Sequence, residues 1–150
     1  MRKIDYKKIM IATDGSDCSK LAIDKGIELA RLSGGTVYAV YVISTAYLSP
    51  RGAGWELIHK ALKDEGQQAV DDIKSLGKVK GINVRSVLLE GNPSYELIRY
   101  TDEEKMDIVI MGTLGKTGLY RMLIGSVAEN LIRHSKVPVM VVSTKYETQD

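Results

Sequence analysis

Phenylalanine is absent from the 150-residue chain, tryptophan occurs once, and the eight tyrosines are dispersed. A single-strand nucleic-acid binder would carry aromatic platforms interleaved with a basic face, so that class is disfavoured. An excess of one charge is also missing: 21 Lys and Arg stand against 19 Asp and Glu, a net charge of +2, and the basic residues are spread along the chain. Nucleic acid is not the expected partner. The single cysteine, Cys18, excludes an internal disulfide framework and a Cys-based zinc cluster, and fits a reducing compartment. With no histidine near it in sequence, Cys18 reads as a small residue in the first turn of a helix, not as a nucleophile. No segment approaches the roughly 20 apolar residues that a membrane helix needs. The charged start (Arg2, Lys3, Asp5, Lys7, Lys8) precedes an apolar run too short for a signal peptide. A soluble cytoplasmic protein without a membrane partner is expected.

A chain of this length is one domain, residues 1–150, and buries roughly 70% of its unfolded surface. Five short apolar runs rich in β-branched residues (8–12, 36–43, 84–89, 107–111 and 138–143) alternate with longer segments of helical period. Strand alternating with helix implies right-handed parallel crossovers and a doubly wound α/β sheet, Rossmann-like, with helices on both faces. The first helix is expected from Ser16 to Ser33, with Gly34-Gly35 as a left-handed cap. The second carries Leu62, Ala69, Val70, Ile73 and Leu76 as one buried stripe and is expected to stop at Gly77. A third begins after Gly91-Asn92-Pro93, with proline near its first turn, and buries Leu97 and Ile98. The fourth opens at Ser126 with a capping-box pattern, Ser126-Val127-Ala128-Glu129. One longer irregular stretch runs from Ser44 to Gly54.

The most informative segment runs from Gly112 to Ser126, where glycines spaced between a strand and a helix let backbone N–H groups approach an anion. Gly115-Lys116-Thr117 is not a P-loop, because the glycine required five positions before Gly115 is Ile110. The dinucleotide fingerprint fails as well, since the turn after the first strand is Asp14-Gly15-Ser16-Asp17. That turn also lacks the Ser-Gly-Gly-x-Asp-Ser pattern of the adenylating ATP pyrophosphatases. His59 and His134 lie far apart, in no metal-ligand spacing, and read as solvated helix histidines. Asp102, Glu103 and Glu104 read as a solvated helix end, and no nucleophile elbow occurs.

The spacing Gly112, Gly115, Gly125, Ser126 resembles the universal stress proteins, whose nucleotide-binding members carry Gly, two residues, Gly, nine residues, then Gly and Ser or Thr. The resemblance extends from the Lys8-Ile9-Met10-Ile11-Ala12-Thr13-Asp14-Gly15-Ser16 opening to the Lys136-Val137-Pro138-Val139-Met140-Val141-Val142 close. It implies strand order 3-2-1-4-5, with Asp14 facing the Gly112 loop across the switch point, and ATP with Mg²⁺ as ligand. On this reading the N–H groups around Gly112, Gly115, Gly125, Ser126 and Val127 surround the phosphates, with the Ser126 hydroxyl adding a donor and Lys116 and Arg121 adding charge. Asp14 holds ribose hydroxyls or helps hold the magnesium. Val42, through its main chain, and Met111 flank the adenine, and Ala12 and Thr13 complete that wall. The chain departs from the family at Thr113-Leu114, where members often place a polar His or Arg.

Each residue also has a plainer role: the glycines shape a turn, Ser126 caps the fourth helix, and Asp14 caps the first. The combination favours an ATP-binding regulator or switch in the stress response. The alternatives are a nucleotide-free partner-binding stress protein and a weak ATP hydrolase. No residue stands out as a base positioned to activate water, so no catalytic residue is assigned. The resemblance further implies a homodimer paired through Val139, Met140, Val141 and Val142, together with an unknown protein partner.

Overall fold

The computed structural model describes residues 5–45, 52, 54–113 and 124–143. Five strands alternate with four α-helices: β1 (Lys8–Ala12), α1 (Lys20–Ser33), β2 (Thr36–Ser44), α2 (Trp55–Val79), β3 (Val84–Gly91), α3 (Pro93–Glu103), β4 (Ile108–Gly112), α4 (Ser126–His134) and β5 (Val139–Val142). They form one parallel sheet in the order β3-β2-β1-β4-β5, as the family resemblance implies. Alternate residues of β1 show why both faces are covered. Ile9 and Ile11 pack with Ile27 of α1 and Val70 and Ile73 of α2, whereas Met10 and Ala12 pack with Leu97 of α3 and Leu131 of α4. A strand buried on both sides reads as an unbroken apolar run.

Four of the strands differ from the sequence reading by one or two residues at an end, and two helix boundaries and one cap differ for local reasons. The chain does not enter α1 at Ser16. A 3₁₀ turn, Asp17–Ser19, comes first, closed by Ser19 N–H to the Ser16 carbonyl at 3.1 Å. Gly77 does not end α2, which runs on to Val79. A Cβ there would meet Val84 Cγ2, so this glycine lets β3 lie close to the helix, and the reversal is made at Gly81 with φ +70°. Gly66 works in the same way, since its Cβ would stand 2.6 Å from Cδ1 of the Tyr41 ring. Finally, Ser126 is not the cap of α4. Gly125 occupies that position with extended backbone (φ −62°, ψ 156°) and no side-chain cap bond forms. Glu129 therefore falls one place too deep for a capping box and pairs with Arg133 at 2.9 Å.

The expected cap at Gly34 (φ 68°) and the proline start of α3 are both present, the latter with Asn92 Oδ1 accepting the Tyr95 N–H at 3.0 Å. Most of the irregular stretch after Ser44 lies outside the described residues. Among the described residues, no helix is long and apolar enough to cross a membrane. The neighbours of β1 are β2 on one side and β4 on the other, so the connections leave toward opposite sheet edges at its carboxyl end. A crevice opens there.

Candidate functional site

The crevice is a cavity of about 430 Å³ between the ends of β1, β2 and β4 and the first turns of α3 and α4. Of the residues that the sequence reading assigns to a nucleotide, Ala12, Thr13, Asp14, Val42, Met111, Gly112, Gly125, Ser126 and Val127 line it. Gly115, Lys116 and Arg121 lie outside the described residues.

The loop after β1 is held by a chain of hydroxyls. Thr13 and Ser19 are both buried. Ser19 Oγ donates to the Ser16 carbonyl at 2.7 Å, so in the 3.1 Å contact between Thr13 and Ser19 the donor is Thr13. Thr13 Oγ1 in turn accepts the Gly15 N–H at 3.1 Å. Asp14 does not cap the first helix: its Oδ1 accepts the Ser16 N–H at 3.0 Å in a local Asx turn, and its Oδ2 takes no bond from the described residues. The loop is thus set by its own short side chains, with one carboxylate oxygen left for a ligand. The Ser16 hydroxyl oxygen is buried without a partner among the described residues.

The opposite wall is main chain. The β1–β2 ladder ends at Ala12 and Val40, and Thr13 N–H donates to the Val40 carbonyl at 3.0 Å. Even-numbered residues of β2 therefore turn their N–H and C=O groups toward β1, and odd-numbered ones turn toward β3, as Val37 and Thr45 show by bonding to Asn83 and Gly91. Val42 is even-numbered and lies beyond the end of the β1 ladder. Its N–H and C=O face the crevice as one donor and one acceptor side by side.

The third part is the end of β4 and the start of α4. Thr113 N–H donates to the Val142 carbonyl at 3.2 Å, and Gly125 N–H donates to the Thr113 carbonyl at 2.6 Å, so the chain returns to α4 at the point where β4 left off. The first helical bond of α4 runs from Glu129 N–H to the Gly125 carbonyl. The N–H groups of Ser126, Val127 and Ala128 precede it and have no helical acceptor, and the dipole of α4 adds positive potential at the same place. Ser126, which is exposed, keeps its hydroxyl out of the cap. Gly112 has a reason the sequence did not show: a Cβ there would stand 2.7 Å from the Cys18 carbonyl oxygen.

Sequence reasoning missed Ser19, Ser44, Leu62, Pro93, Leu97 and Thr113, all of which line the cavity. Leu62 and Leu97 read as core stripe and Pro93 as a helix start. The available signal was position, since each sits at the carboxyl end of a strand or in the helix turns beside one. The assembled site presents N–H donors without helical acceptors at α4, an open main-chain donor and acceptor at Val42, and apolar lining from Met111, Leu62, Pro93 and Leu97.

Known proteins share this sequence pattern and fold. The sequence profile of the universal stress protein family matches residues 5–143. The chain is 42% identical over 139 residues to the universal stress protein MJ0531 of Methanocaldococcus jannaschii, covering 91% of this chain and 82% of that one. The structure of MJ0577 from the same organism superposes with a TM-score of 0.86 at 30% identity, over 96% of this chain and 100% of that one. A universal stress protein crystallised in complex with cAMP superposes with a TM-score of 0.68 at 25% identity, over 94% of this chain and 99% of that one. The chain belongs to the universal stress protein family.

Proposed function

We propose that this protein binds ATP with Mg²⁺ in the switch-point cavity and acts as a nucleotide-dependent regulator in the cytoplasm. One observation carries the reading: three N–H groups of α4 without helical acceptors and the open main-chain pair of Val42 face a single cavity from opposite sides. The α4 end suits phosphate oxygens. The Val42 N–H and C=O match the adjacent acceptor and donor on the polar edge of adenine, and guanine presents the reverse pair. The cAMP complex of a relative is consistent with an adenine nucleotide here.

The residues fit magnesium as a companion of the phosphates, not as a protein-held ion. Bound there, Mg²⁺ would supply charge neutralisation between phosphate oxygens, and Asp14 Oδ2 is the carboxylate oxygen available to it or to ribose. Thr13 and Ser19 hold the Asp14 loop, Met111 and Leu62 exclude water from the base, and Ser126 offers its hydroxyl.

The test is calorimetric titration of Mg–ATP and Mg–GTP into protein stripped of nucleotide. ATP is expected to bind at least about tenfold more tightly than GTP, the equivalent of about 1.4 kcal/mol. No heat with either nucleotide at several temperatures would remove the reading.

The same protein is proposed to pair through β5. Pro138 and Val142 carbonyls point to β4, so Val139 and Val141 turn their main-chain groups to the outer edge. Met140 on this strand is 38% exposed, and Ile132 of α4, the helix that leads into β5, is 48% exposed. An apolar edge strand of this kind is normally covered. Light scattering is expected to show a dimer, and Val141→Pro, which removes an outward N–H while leaving the β4 ladder intact, is expected to give a monomer. A wild-type monomer would overturn the pairing.

A further inference from the structure

At the start of α2 is a group of side chains that the cavity does not use. Trp55 and His59, one turn apart, stack with ring centroids 5.2 Å apart and planes inclined by 17°. The same imidazole brings Nε2 to 2.8 Å from Glu90 Oε1 near the end of β3. The His59 side chain is 24% exposed and that of Glu90 48%, so the contact is partly shielded. Its position in the chain matters more than its strength. Leu62, three residues after His59, lines the cavity from α2, and Pro93, three residues after Glu90, lines it from α3. The bond therefore ties together two elements that wall the base end of the cavity.

We propose that His59 is a positioning residue for nucleotide retention: by joining α2 to the β3–α3 connection through Glu90, it holds the two walls of the base end together. The inference rests on the nucleotide-binding reading. A carboxylate oxygen only accepts, so His59 Nε2 is the donor in this bond. Among the described residues, the other charged groups nearby are the exposed Glu56, Lys60 and Lys63 within a turn of His59 on α2, and Glu96 of α3, which lies against Gly91 and is committed to Arg99 at 2.6 Å. The end of β2, Ser44-Thr45, brings no titratable side chain. Glu90 is thus the carboxylate bonded to His59.

The experiment has two readouts on the full chain. Trp55 is the only tryptophan, so its emission reports the stack directly. In nucleotide-free protein, Trp55 emission is expected to change in His59→Ala, which removes the stacked ring. Mg–ATP affinity, measured by calorimetry, is expected to fall about two- to fivefold in His59→Ala and in Glu90→Ala, with no further loss when the two are combined. Glu90→Gln, whose amide oxygen still accepts from Nε2, is expected to keep most of the affinity. Unchanged affinity in both alanine variants, or losses that add in the double variant, overturns the proposal. Absence of any ATP binding overturns the nucleotide reading and the retention claim together. It is distinguished from failure of the clasp alone by a Trp55 emission difference that persists between wild type and His59→Ala.

Discussion

Replacing Ser126 with aspartate is expected to raise the stability of the protein and to remove the nucleotide binding proposed for it. The new carboxylate would sit in the first turn of α4, beside the three N–H groups that lack helical acceptors. An acidic side chain there interacts favourably with the helix dipole, by about 0.3 to 1 kcal/mol. The residue is exposed and makes no cap bond, so nothing is lost in exchange. For a bound polyphosphate the sign reverses, because two like charges about 4 Å apart at a protein surface repel by about 4 kcal/mol. Affinity for Mg–ATP should fall by about a hundredfold or more even after screening by salt. Thermal denaturation and calorimetry on one sample read the two effects. A more stable protein with unchanged affinity would show that phosphates do not lie at α4. Ser126→Ala sharpens the comparison: because Gly125 is the cap, stability should stay within about 0.5 kcal/mol while one ligand donor is lost.

The second large effect is expected at Gly112. An alanine Cβ would lie 2.7 Å from the carbonyl oxygen of Cys18 and 3.3 Å from its carbon. Both are backbone atoms of the 3₁₀ turn, so no side chain can rotate away to make room. Relief requires the turn to move, and with it Ser19 and the hydroxyl chain that holds Asp14. Gly112→Ala should cost about 1 to 3 kcal/mol in urea denaturation and should weaken nucleotide binding as well. A change within about 0.5 kcal/mol would mean that β4 and the turn are not packed as closely as described.

These two residues show what can be read from a chain and what cannot. Gly112 and Ser126 were marked by their spacing, which is a property of the sequence. Their roles were not. The spacing suggests that Gly112 leaves room for a phosphate and that Ser126 caps its helix; in the fold Gly112 also admits the Cys18 backbone, and Gly125 is the cap. The capping-box pattern misled because it counts only four residues, and a shift of the cap by one position sends Glu129 to Arg133 instead. Gly77 misled in a similar way. Glycine at a helix end and glycine at a close helix–strand contact look alike until β3 is placed.

The succession of apolar strands and periodic helices was sufficient by itself to determine the doubly wound class, because hydrophobic period and crossover handedness are local physics. The five strands, the cap at Gly34 and the proline start of α3 follow from the same local rules. Only the tertiary structure decided the site. Leu62, Pro93 and Leu97 became cavity walls, and Val42 acquired an open main-chain edge, through the point at which the β1–β2 ladder stops. That point depends on where one strand ends relative to its neighbour, a non-local quantity that no window of sequence contains. The His59 and Glu90 pair is of the same kind: 31 residues separate them in the chain, and the packing of α2 against β3 brings them to hydrogen-bond distance.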